Sequence, residues 1–175
     1  MHSNVIVLKS SPDCPCSMTE DNIFEDMHGV ADYIQPIDII ETKDIVNCLQ
    51  EAFCNLGIDI NVHIDPEGDK RVMVVIQNPK NTRNKYLTNK FTHLQNVLRD
   101  SMSNIDDSLS YYKVKIAVHD ENNLWICTDL FNDVGIFEVM PLDLFMDYLK
   151  YLGYNSETKG KEVILYFDKL FDYHF

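Results

Sequence analysis

The hydrophobic pattern changes period at Gly57. Before it, Ile45, Val46, Leu49, Ala52, Phe53 and Leu56 recur at helical spacing and predict a single core-facing stripe. Thr42 is a favourable cap for this helix, and Gly57 a favourable stop. After it, Ile58, Ile60, Val62 and Ile64 alternate with Asp59, Asn61 and His63, as in a half-buried strand. Asp65-Pro66-Glu67-Gly68-Asp69 is turn chemistry, and residues 71–76 are again rich in strand formers. The unit is a helix followed by a hairpin.

The same order then recurs. A long helix opens at Asn81 or Thr82, after Pro79, with Leu87, Phe91, Leu94, Leu98 and Met102 as its expected core face. Residues 109–119 read as a strand, with Val114, Ile116 and Val118 on one side; 120–123 form a turn and 124–128 return. A third helix starts at Pro141 and is expected to end at Gly153, with a further strand over 162–167. On the N-terminal side, 4–8 is a short strand, 9–19 a loop, and 20–28 a short helix closed by Gly29. These runs predict an α+β fold, with helices packed on one face of a mainly antiparallel sheet built from helix-hairpin units. Residues 1–35 are expected to form an irregular acidic N-terminal extension, and 36–175 a single α+β domain.

Over about residues 42–152, the order helix, strands, helix, hairpin, helix resembles the type III secretion chaperone-like fold. Leu56-Gly57 with the alternating strand behind it is similar to that family's passage from helix to strand. Val118-His119-Asp120-Glu121-Asn122-Asn123-Leu124-Trp125-Ile126 is similar to its second hairpin. The long N-terminal extension, the long middle helix and the strand after the third helix depart from it. The resemblance implies a small acidic protein, usually dimeric, that holds an extended segment of a partner.

Composition adds a charge map. The chain has 175 residues, of which 45% are hydrophobic and 25% charged, so it carries enough apolar surface to offset chain entropy. The net charge of -13 argues against a whole-surface grip on nucleic acid or an anionic membrane. The charge is segregated: residues 1–69 carry 14 acids and 2 bases, 70–99 carry 7 bases and no acid, and 100–175 carry 14 acids and 6 bases. Five cysteines, an odd number, with no secretory pattern and no apolar run near 18 residues, predict reduced thiols and a cytoplasmic protein without membrane insertion.

Three surfaces are candidates for function. The acidic face comprises Glu20, Asp21, Glu25, Asp26, Asp32, Asp38, Glu41 and Asp44, and would steer a basic partner. The C-terminal region holds 11 of the 19 aromatics; Leu144, Tyr148, Tyr151, Phe171, Tyr173 and Phe175 are expected to bind a partner or a second copy in a homodimer. Lys70, Arg71, Lys80, Arg83, Lys85 and Lys90 offer an anion contact, set against a simpler reading as internal balance for the acidic N-terminal segment. On a helical wheel Arg83 and Lys90 lie at one edge of the apolar face, with Lys85 and Arg99 on the far side.

Catalytic signals are sparse. Cys14 and Cys16, with His2 or His28, offer part of a zinc set but lack a second close pair of ligands. His63 with Asp65, and His119 with Asp120, are spaced for acid-base work and equally for turn-flanking polar residues. No phosphate loop, dinucleotide fingerprint or nucleophile elbow is present, and no catalytic residue, metal or cofactor is assigned. The expected function is that of a non-enzymatic acidic binding protein that occupies a partner protein's surface, as chaperones, immunity proteins and virus-encoded antagonists of host defence do. The alternatives are a nucleic-acid contact through 70–99 and a small metal-dependent enzyme.

Overall fold

Val5, Ile6, Val7 and Leu8 are all buried, so strand β1 (His2–Lys9) is covered on both faces and lies inside the sheet. The computed structural model describes residues 2–15, 18–38, 41–55, 58, 60–66, 71–106, 109–119, 124–131, 136–155 and 162–174. After β1 come α1 (Glu20–Asp26), β2 (Tyr33–Pro36), α2 (Thr42–Asn55), β3 (Asn61–Ile64), β4 (Val72–Gln77), α3 (Pro79–Ser103), α4 (Ser110–His119), β5 (Leu124–Thr128), β6 (Glu138–Pro141), α5 (Leu142–Asn155) and β7 (Glu162–His174).

The fold is α+β. The strands form one sheet in the order β3-β4-β7-β1-β5-β6, with β2 also paired to β7. All pairs are antiparallel except β1 with β5. The long β7 organises the sheet. One of its edges pairs along β1, and the other is shared by β4, which pairs with residues 162–166, and β2, which pairs with 171–174.

Each face of the sheet has its own core. On one side Ile6, Leu8, Val74, Ile76, Ile126 and Leu165 meet Leu49 and Phe53 of α2, Tyr86 of α3, and Phe145 and Leu149 of α5. On the other, Val5, Val7, Cys127, Phe171 and Tyr173 are covered by Met18, Ile23, Met27 and Ala31. Here Thr19 caps the short α1: its Oγ1 accepts from the Asn22 N–H at 3.3 Å, and its own N–H donates to Asn22 Oδ1 at 3.2 Å. Gly29 follows at φ +84°, a left-handed position that suits glycine.

Several expectations change. Residues 1–35 are not an irregular extension: β1 lies between β7 and β5, α1 seals the second face, and position 35 falls inside β2. The run expected as a strand at 109–119 is helix α4. The hairpin following α4 is β5–β6, which pairs Trp125 with Pro141 and Cys127 with Val139. The expected core face of α3 is exposed at Phe91, Leu98 and Met102. Helix α5 passes through Gly153, and β7 runs seven residues beyond 167.

Candidate functional site

A groove of about 680 Å³ lies beside β7, between the stretch paired with β4 and the stretch paired with β2. Its apolar lining comes from Pro36, Ile37, Ile45, Phe167 and Leu170. The Ile37 N–H donates to the Leu170 carbonyl at 2.8 Å and fixes the chain after β2 as one wall. Glu20 and Asp21, in the exposed first turn of α1, and Asp38 supply carboxylates. Lys169 also borders the groove, with its ammonium donating to the Met18 carbonyl at 2.9 Å. An apolar lining edged by acids fits a segment carrying both apolar and basic side chains.

The acidic set is therefore divided. Glu20, Asp21 and Asp38 meet at the groove, and Asp44 lies in the first turn of α2, next to Ile45. Glu41 precedes that helix, where its carbonyl accepts from the N–H groups of Asp44 and Ile45. Glu25 and Asp26 are at the far end of α1, and burial, reinforced by Glu25, raises the Asp26 pKa above its ordinary value. Asp32 lies elsewhere: its N–H donates to the His174 carbonyl at 2.6 Å, and its carboxylate is 3.5 Å from His174 Nδ1.

Two members of the basic set are paired within the chain. Arg83 donates through Nε and Nη2 to Asp147 Oδ1 at 3.0 and 2.6 Å, and Lys90 pairs with Asp143, which also accepts from the Tyr86 hydroxyl. The acids that balance Arg83 and Lys90 thus belong to α5 rather than to the N-terminal segment. Arg71 has a looser exposed contact with Asp13 at 3.7 Å. Lys80 and Lys85 are exposed on α3, and Lys70 is outside the described residues.

The C-terminal set is also divided. Phe171 and Tyr173 are core residues, not partner anchors, because they belong to the inner face of β7 under α1. Phe171 borders the groove, but its side chain is packed into the core. Tyr148 is half-buried with its ring against Phe131 at 5.1 Å. Leu144 and Tyr151 are exposed on α5, and Phe175 is outside the described residues.

For the chemical candidates, Cys16 and Asp120 are outside the described residues, and His63 is exposed on the edge strand β3. Among the described residues no three His, Cys, Asp or Glu side chains gather as a metal set would require. Cys127 is a poor nucleophile. Burial first, then Asp26, Asp129 and Asp168, push its thiol up to about 12 from an ordinary 9.0. The unfolded chain therefore loses this proton near 9 while the folded chain keeps it, so the thiol lowers stability as pH rises from about 9 towards about 12. The slope is at most ~1.4 kcal/mol per pH unit. Urea denaturation at pH 8 and 10 should show the parent losing roughly 1 kcal/mol more than Cys127→Ala; equal losses would contradict the assignment.

Pairing supplied the signal that sequence reading missed. Asp129, buried at the end of β5, accepts from the Ser10 N–H at 2.6 Å and the Ser10 hydroxyl at 3.0 Å, anchoring the loop that leaves β1. Compared with known protein families, curated proteins and solved structures, the chain has no significant match. No helix among the described residues is long and apolar enough to cross a membrane.

Proposed function

We propose that the chain works by binding another protein, holding a basic, partly apolar segment of that partner in the groove between α1 and the start of α2. The observation that carries this reading is the convergence of Glu20, Asp21 and Asp38 on a lining made by Pro36, Ile37, Ile45, Phe167 and Leu170. The volume, about 680 Å³, falls within the size range of ligand-binding clefts. Occupying a partner segment in this way is the action of a chaperone or an inhibitor, and the charge map is that of a protein that attracts basic partners. The nucleic-acid reading is disfavoured, since Arg83 and Lys90 are neutralised by α5.

The test uses a labelled peptide of alternating Lys and Leu, followed by fluorescence anisotropy. Affinity should fall at least tenfold between ~0.1 and ~1 M salt. Asp21→Lys combined with Asp38→Lys should cost a further tenfold at low salt, roughly the effect of two partly desolvated charge contacts. Glu25→Lys and Asp32→Lys should leave binding unchanged, because neither residue lines the groove. Equal loss from all four reversals would indicate general attraction to an acidic protein and remove the groove.

A further inference from the structure

Helix α4 packs chiefly on α3. Between Tyr86 and Leu124 no described apolar side chain is buried; the buried side chains there are Ser101 and Ser110, 9% and 6% exposed. Two facing helices ordinarily close on each other through interdigitated apolar side chains. Here the short side chains of Ser101, Ser110 and Ala117 border a cavity of about 350 Å³ between α3 and α4. Ser110 is satisfied, since its hydroxyl donates to the Asn104 carbonyl at 2.6 Å. Ser101 is not: it lines the cavity, and its buried hydroxyl has no hydrogen-bond partner among the described residues. A buried hydroxyl in that state costs stability until something supplies the missing bond.

We infer that this cavity is a binding site for a free α-amino acid with a large apolar side chain. Its volume lies at the lower end of the range of ligand clefts, which suits a compact molecule rather than a peptide segment. The lining selects the class. Val97 on α3, with Ile116 and Ala117 on α4, provides an apolar wall. Asp100 on α3 and Lys113 on α4 bring a carboxylate and an ammonium to the same cavity from opposite helices. A purely anionic ligand would be opposed by Asp100 and a purely cationic one by Lys113, whereas a zwitterion matches both. Such a ligand spans the hairpin, with its ammonium on Asp100, its carboxylate on Lys113 and its side chain against the apolar wall. It fills the space that the short side chains leave between the helices, and it brings hydrogen-bonding groups to the side of the cavity that Ser101 lines.

Amide NMR of the isotope-labelled full chain, titrated with L-phenylalanine, tests the site. Amides of α3 and α4 around Ser101 and Lys113 should shift saturably, with a Kd of about 1 mM or tighter. Phenethylamine, which lacks the carboxylate, and hydrocinnamate, which lacks the ammonium, should each bind roughly tenfold more weakly, as the loss of one charge contact requires. Asp100→Asn should remove the preference for phenylalanine over hydrocinnamate, and Lys113→Met the preference over phenethylamine; both side chains are exposed, so the fold should persist. Ala117→Leu, which fills the cavity, should abolish binding with unchanged circular dichroism. Asp21→Lys combined with Asp38→Lys should leave phenylalanine binding intact while it weakens peptide binding in the groove, so the two sites fail separately. No saturable shift at about 10 mM phenylalanine, shifts confined to other elements, equal binding of the three compounds, or binding that survives Ala117→Leu overturns the site.

Discussion

Phe171→Ala should lower the free energy of unfolding by about 3–5 kcal/mol, measured as a fall in urea midpoint at constant slope. The side chain is 1% exposed and lies against the inner face of α1 and its flanking loop. Its backbone is held by both neighbouring strands, since β7 places it opposite Val5 on β1 and Pro36 on β2. Truncation removes a ring from a packed layer whose neighbours are fixed by strand pairing, so little of the cavity can collapse. A partner anchor behaves differently: its loss weakens binding and leaves folding alone. Tyr151→Ala, at an exposed α5 position, provides that contrast and should change stability by no more than ~0.5 kcal/mol. A Phe171→Ala effect below about 1 kcal/mol would return this residue to the surface set.

The contrast shows where the chain was readable. Helix α2 and the α5 face formed by Leu142, Phe145 and Leu149 were legible because one apolar stripe meets one sheet face, and periodicity records such one-sided burial. Helix α4 was not. Val114, Ile116 and Val118 alternate with Lys113 and Lys115, a strand-like pattern, on a helix that leaves most of its circumference to solvent. Without one buried side, a helix has no period of its own to display. The stripe on α3 was legible as a stripe, but its destination was not, because spacing identifies an apolar surface without saying whether this chain or another covers it. Strand β1 showed the reverse: four consecutive buried apolar residues mark a strand enclosed on both faces, which two-period alternation does not detect. The groove was half legible. Its acids stood in sequence as one dense run, yet which three converge depends on where β4 leaves β7 and β2 joins it, a matter of long-range pairing.

That pairing also explains why β7 looked shorter in sequence than it is. Asp168 and Lys169 break the apolar pattern at the register shift opposite Val7 and Leu8, yet the strand continues to His174. The interruption is tolerated because Lys9, on β1, reaches Asp168 Oδ1 at 2.8 Å, with side chains only 13% and 19% exposed. Asp168 Oδ2 is buried without a hydrogen-bond partner among the described residues, which leaves Lys9 as the cation facing this carboxylate inside the fold. Lys9→Met should therefore destabilise the protein by about 3–5 kcal/mol, mainly by leaving a buried charge uncompensated. The double substitution Lys9→Met with Asp168→Leu removes both charges and should recover stability to within ~1 kcal/mol of the parent, because a well-filled apolar pair avoids the desolvation of two ions. Urea denaturation of the parent, both single variants and the double variant closes the cycle, with an expected coupling of at least ~2 kcal/mol. Additive single effects would mean that the two side chains are neighbours without interaction, and that the register shift is held by backbone pairing alone.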